Sequence, residues 1–340
     1  MAISNKCKGC GGSLEFNPNG GNLICKKCGT TANFDSEKGC VFHSFDMNTE
    51  TRQPEFNAEV VSSHCPSCGA IYGKDTTTIA DVCDYCGAHL VRDFSLSKEN
   101  APDACIPFAF DKSVAQQKFR EGIAKKKFLP NKFKKELPDH MIVSEYIPAY
   151  LFNLDTVSQY KGRIYHTYHD SDGDTTRSYE RIVGTEKLYV QDVLVESSSN
   201  INQITLDRIL PYDLNEMKKF QNEFLMGYSV ENFDKKLQDT KSMLREIVNS
   251  RVRRSILDHY SYDGVDFLDI KTEYKSSYYA RVILPTYRFS YRYGKKDYNT
   301  YVNGQTGKVG GNVPRSKFKI FAFVLGIVAV VSTVVYLILS

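Results

Sequence analysis

The chain has 340 residues, 41% hydrophobic and 25% charged, with 22 Tyr, 20 Phe and no Trp. That balance excludes a wholly disordered chain and a polytopic membrane protein, and leaves room for one sizeable core plus small modules. Net charge is only +4, so nothing at whole-chain level demands nucleic acid.

The charge is uneven. Residues 1–105 hold 9 Lys/Arg against 13 Asp/Glu, whereas residues 106–317 hold 34 against 27. An acidic front and a basic middle predict separate domains with different neighbours.

Eight of the ten cysteines form four C-x-x-C pairs: Cys7 and Cys10, Cys25 and Cys28, Cys65 and Cys68, Cys83 and Cys86. The pattern C-x2-C-x14-C-x2-C therefore occurs twice. Each copy offers the four soft thiolates of a tetrahedral Zn²⁺ site. A glycine follows every pair, at Gly11, Gly29, Gly69 and Gly87, where a knuckle turns the chain and positive φ comes cheaply. Asn19-Gly20-Gly21-Asn22 is a turn between two short apolar runs, as a hairpin requires.

Two hairpins clamping one ion make a zinc ribbon. One is expected at residues 1–34 and a second at 59–94, with linkers at 35–58 and 95–105. Two zinc ions suit the eight ligands; iron uses the same set and stays open as the lesser alternative. Disulfides fit poorly, because no secretory signal is visible at the N-terminus. Cys40 and Cys105 read as small apolar side chains, and His64 and His89 as bystanders to the second cluster. With all four positions filled by protein, neither site has a vacancy for catalysis. Two tetrathiolate centres would take the front module to roughly −8, which opposes nucleic acid and favours a protein partner.

Residues 106–316 read as an α+β domain. Asp111 is placed to cap a helix from Lys112 to Phe128 with Ala115, Phe119 and Ile123 on one stripe. Lys125, Lys126, Lys127, Lys132, Lys134 and Lys135 cluster near its end, either as a solvated helix terminus or as a site for anionic lipid heads or nucleic acid. Residues 145–196 read as strands with a turn at Asp172-Gly173-Asp174. Residues 214–258 read as helix, interrupted near Gly227-Tyr228-Ser229 with Ser229 as a second cap. Strands resume from Val265 to Val302. Ile106-Pro107-Phe108 echoes Leu210-Pro211-Tyr212, and Ile147-Pro148-Ala149-Tyr150 echoes Leu284-Pro285-Thr286-Tyr287. These echoes predict two related halves, 106–200 and 205–310. Gly304-Gln305-Thr306-Gly307-Lys308-Val309 imitates a phosphate loop, but Val302 and Val309 stand where that loop needs Gly and Ser/Thr.

Ile320 to Leu339 are twenty residues without a charge, a length of roughly 30 Å as helix, which matches one hydrocarbon core. Fourteen of them are Ile, Leu, Val or Phe, favouring insertion by on the order of 4 to 8 kcal/mol. A single-pass tail anchor over 317–340 is expected, contacting lipid through residues 318–339. Arg315, Lys317 and Lys319 precede the run, so the bulk of the chain is expected on the cytoplasmic side of the cell membrane.

Several segments together carry a family likeness. The ribbon at Cys7–Cys28, the helix start at Pro107-Phe108-Ala109-Phe110-Asp111, Tyr146-Ile147-Pro148-Ala149-Tyr150-Leu151-Phe152, and Val302-Asn303-Gly304-Gln305-Thr306-Gly307-Lys308-Val309 with Pro314 resemble bacterial TFIIB-type zinc-ribbon-containing proteins of uncharacterised function. Members of that group are often labelled primosomal replication-restart helicase-like. The resemblance spans roughly residues 1–317 and implies the architecture and zinc. The chain departs from it by carrying Tyr150 and Tyr287 where Trp is common, and it has no motor motif.

The expected function is a non-enzymatic module that binds or scaffolds an unidentified protein at the membrane. The alternative is a nucleic-acid-binding accessory of replication or transcription. No small-molecule substrate is evident, and an enzyme is the least supported reading.

Overall fold

The computed structural model describes residues 6–49, 63–64, 71–72, 78–82, 89–91, 101–135, 140–169, 174–198 and 200–339. The second set of cysteines, Cys65, Cys68, Cys83 and Cys86, and the turn residues Asp172 and Gly173 lie outside them.

The chain opens with three antiparallel strands, β1 (Leu14–Asn17), β2 (Asn22–Cys25) and β3 (Thr31–Ala32). The expected Asn-Gly-Gly turn joins the first two, and Gly21 takes φ 62° at its tip, where a side chain would be strained. One face of this sheet buries Leu14, Phe16 and Leu23. Phe16 meets Phe224 edge-on at 5.4 Å, and its N–H donates to the Met226 carbonyl at 2.8 Å. The module is therefore docked on the central domain rather than tethered to it.

Much of the segment that follows also lies on that domain. β4 (His43–Ser44) pairs with a long central strand, and Met47 is buried. Beyond it come β5 (Ser63–His64) paired with β6 (Ile71–Tyr72), and β7 (Thr78–Val82) paired with β8 (His89–Val91).

The central domain combines β9 (Ala104–Cys105), α1 (Lys112–Ala124), α2 (Asn131–Lys135), β10 (His140–His169), β11 (Thr175–Glu196), α3 (Gln203–Ile209), β12 (Lys218–Lys219), β13 (Ser229–Glu231), α4 (Leu237–Leu257), β14 (Gly264–Tyr293), β15 (Lys296–Asn303) and β16 (Val309–Gly311). Strands β10 and β14 are each 30 residues long, about 100 Å of extended chain. They pair antiparallel from His140↔Tyr291 to Tyr165↔Gly264. β11 continues the ribbon on the other edge of β10, down to His169↔Thr175.

The pairing around this ribbon is two-fold. Ile147 sits opposite Leu284. β9 joins β14 in parallel at Val282↔Ala104, and β13 joins β10 in parallel at Glu145↔Ser229. Asp111 lies seven residues after Ala104 and caps α1; Lys236 lies seven after Ser229 and is the cap residue of α4. Buried Phe119 and Leu244 each follow their cap by eight residues. Tyr287 packs on Phe108 and donates its hydroxyl to the Phe110 carbonyl. Tyr150 packs on Phe233 and donates to the Lys235 carbonyl at 3.2 Å.

The repeat is thus β9–α1–β10–β11 and β13–α4–β14–β15. The strand echo at Pro148 and Pro285 marks it. The echo at Leu210 does not: the segment matching Ile106-Pro107-Phe108 is Glu231-Asn232-Phe233. Leu210-Pro211-Tyr212 follows the short helix α3, which Asn202 caps through its side chain to Thr205 N at 2.9 Å.

The expected helix over 214–258 begins only at Leu237. Residues 214–236 form two single 3₁₀ turns and the strands β12 and β13, with Gly227 at φ 92°. Phe224, Leu225 and Met226 are consecutive and all buried, an enclosure that no single helical face provides. Ser229 starts a strand, not a helix. Helix α1 ends at Ala124 rather than Phe128, because Phe128 turns left-handed at φ 59° and carries the chain into α2.

Last comes α5 (Lys317–Leu339). Within Lys317–Leu337 an 18-residue window has mean hydropathy 2.7 and none of it is buried. The absence of any buried residue along it sets it apart from a core helix. Among the described residues it is the one helix long and apolar enough to cross a membrane.

Candidate metal centre

The two knuckles of the first module bring Cys7, Cys10, Cys25 and Cys28 together, with all four sulfurs within 4.8 Å of one another. Cys7 Sγ lies 3.6 Å from Cys28 Sγ, and Cys10 Sγ 3.6 Å from Cys25 Sγ. A disulfide needs about 2.05 Å. Four thiolates about 2.3 Å from a central ion sit about 3.8 Å apart. The spacing fits the second geometry, and this group can hold one metal ion.

Local chain chemistry builds the cage. Gly11 N donates to Cys7 O at 2.9 Å and Gly29 N to Cys25 O at 2.8 Å. Both glycines adopt the expected left-handed turn, at φ 71° and 76°. Gly9 N donates to Cys7 Sγ at 3.3 Å. Two contributors escaped the sequence reading. A Cβ on Gly12 would stand 3.2 Å from Cys25 Sγ and 3.3 Å from Cys10 Sγ, so any larger residue would press on the two sulfurs. Thr30 Oγ1 lies 3.1 Å from Cys28 Sγ. The Gly11-Gly12 doublet was the legible sign of the first; nothing in the spacing marked Thr30.

The electrostatics explain why a cation belongs here. Backbone N–H groups of Cys10 and Gly9 draw the Cys7 thiol below its ordinary range. The Thr30 hydroxyl and N–H bring Cys28 down to about 6. Cys10 is pushed up to about 11: the Gly12 N–H pulls it down, but the sulfurs of Cys28 and Cys25 push harder. Sulfurs this close cannot all ionise alone, and a divalent ion among them removes the conflict.

Other candidate residues fall elsewhere. Cys105 is fully buried, and desolvation lifts its thiol well above the usual range. Burial likewise raises Cys40 to about 12. Both are protonated thiols outside the four-sulfur group. His166 lies 3.8 Å from Glu180, while His169 Nδ1 lies 3.2 Å from Thr175 Oγ1; they share no site. In Asn303–Val309 the Asn303 carboxamide oxygen accepts from Gln305 N and Thr306 N at 2.9 Å each, and its NH₂ donates to Ile209 O and Pro211 O. That segment is a structural turn between β15 and β16.

The chain is 29% identical over 335 residues to the protein YdjG of Bacillus subtilis (strain 168), described as uncharacterized; the match covers 96% of this chain and 94% of that one. No family model and no solved structure matches.

Proposed function

We propose that this chain is a zinc protein anchored in the cell membrane by its C-terminal helix, with its bulk at the cytoplasmic face, serving as a non-enzymatic protein-binding scaffold. The observation that carries the reading is the closed set of four sulfurs on a chain that also bears one exposed apolar helix. A filled tetrahedron offers no position to a substrate, so the ion's part is to fold and present the module. Zinc is the ion preferred for four cysteines among strands, as in the zinc ribbons that the sequence resembles. The matching spacing of Cys65, Cys68, Cys83 and Cys86 extends the proposal to a second zinc ion. Sidedness rests on Arg315, Lys317 and Lys319 before the span.

Metal analysis of the full chain purified in detergent tests the first part: two zinc equivalents are expected, and a chain free of zinc and iron alike defeats it. Crosslinking in intact cells tests the second. Cys25→Ser and Cys83→Ser should each cost partner capture; retention of every partner by both variants rules out a scaffold working through these modules. The alternative of a nucleic-acid accessory draws on the basic middle domain, and predicts salt-sensitive binding of DNA or RNA by the detergent-solubilised chain.

A further inference from the structure

Between α1 and α2 the chain makes a corner, Phe128-Leu129-Pro130-Asn131, and this corner grips the start of α5. Ser316 N donates to Phe128 O at 2.7 Å. Lys319 Nζ donates to Leu129 O and to Asn131 Oδ1, both at 2.7 Å. The Phe128 ring packs edge-on against Phe323 at 5.2 Å. Phe323 lies four residues beyond the last charge of the span, about 6 Å further along the helix. A ring touching it stands at the level where a bilayer begins. Phe128 holds a left-handed φ of 59°, a strained conformation for an aromatic residue.

Positive charge frames the corner on both sides. Six of the eleven residues from Lys125 to Lys135 are lysine, and none is acidic. Lys125, Lys127, Lys132, Lys134 and Lys135 are exposed. Among the described residues no carboxylate forms an ion pair with any of these six. Arg315 and Lys317, also exposed, stand beside them on α5 and its lead-in. Next to the corner is a concavity of about 430 Å³ lined by Lys118, Glu121, Lys125, Lys126, Thr306 and Lys308, four ammonium groups against one carboxylate. Gly122 lets this wall close, since a Cβ there would meet Val309 Cγ2 at 2.3 Å.

We infer that the α1–α2 corner is a binding site for anionic phospholipid headgroups, which seats the central domain on the bilayer instead of leaving it to swing on its tail. The phosphates neutralise the lysines, and the Phe128–Phe323 contact fixes the depth. The inference rests on the membrane-anchor reading and adds a lipid chemistry to it.

The test uses the full chain in vesicles of phosphatidylcholine alone or with one-third phosphatidylglycerol. A water-soluble amine reagent labels lysines, and peptide mass spectrometry reads each rate. Each lysine near an anionic surface gains roughly fivefold in association. Labelling of Lys125, Lys127, Lys132 and Lys134 should therefore slow by about fivefold or more in the anionic vesicles. Lys161, Lys187 and Lys271, exposed and far along the ribbon, should label equally in both. Equal rates at the corner, with the protein still in the membrane fraction, overturn the headgroup site and leave the anchor standing. Release of the chain by alkaline carbonate overturns the anchor and this inference with it. Protection by inorganic phosphate in neutral vesicles assigns the concavity to free phosphate and also overturns the lipid site.

Discussion

Helices α1 and α4 hold equivalent places in the repeat, yet α1 has 13 residues and α4 has 21. The extra length of α4 follows the ribbon: Leu244, Val248, Val252 and Ile256 cover Phe152, Leu154 and Val190. In the first half the matching stretch becomes the lysine corner on α5. The strands diverge likewise, with β11 running for 22 residues along the ribbon and β15 for 8 before β16 closes it. The two-fold frame keeps its core where the two halves pair and differs at the outer ends. One end carries the long ribbon of β10, β11 and β14, and the other the lysine-rich corner against α5.

The largest effect should come from the cysteine module docked on the central domain. Phe16 packs on Phe224 and Tyr228, and Tyr228 stacks on Phe108 at 4.3 Å. Cys25→Ser should remove one metal equivalent per chain and unfold that module, since structural zinc contributes on the order of 10 kcal/mol in small modules. Metal analysis and hydrogen exchange at residues 14–25 read both; unchanged metal content would contradict the cage.

A matched pair sharpens the equivalence next. Phe152 and Phe289 both lie four residues after a repeat proline and are fully buried. Each Phe→Ala change should cost about 3–5 kcal/mol, measured by denaturant unfolding in detergent. A large loss at one and none at the other would break the comparison. Smaller effects belong to the paired hydroxyls: Tyr150→Phe and Tyr287→Phe should each cost about 1 kcal/mol. Unequal losses there would show that the two bonds differ in strength.

The smallest effect separates the two caps. The Asp111 carboxylate accepts from Ser113 N at 2.9 Å and Val114 N at 3.1 Å. At the equivalent place Lys236 cannot accept, and Asp239 instead takes the Lys236 N–H at 3.1 Å. Asp111→Ala should cost about 1 kcal/mol at neutral pH, and Lys236→Ala under about 0.5 kcal/mol. The Ser113 hydroxyl and the Val114 N–H hold the Asp111 carboxyl below its ordinary 3.8. Its stabilisation is therefore complete above that value and is lost as pH falls through the depressed one. The gap between wild type and Asp111→Ala in thermal melts should close in acid; a gap constant with pH would remove the charged cap.

Several features were set by the sequence alone because short-range chemistry sets them. Cysteine spacing with Gly11 and Gly29 makes the first cage, Asn-Gly-Gly makes its hairpin, Asp111 caps α1, and an uncharged run makes α5. Each needs only a few neighbours along the chain. Tertiary structure alone decided the rest. The start of α4 at Leu237, the 30-residue strands and the phase of the repeat depend on partners far away along the chain, such as Glu145 opposite Ser229 and Ile147 opposite Leu284. So does the buried fork between Arg288 and Glu145, with Nε to Oε1 at 2.9 Å and Nη2 to Oε2 at 3.0 Å, and so does the grip of Phe128 and Leu129 on α5. Pairing of that kind is fixed by register and burial, and neither is written in local propensity.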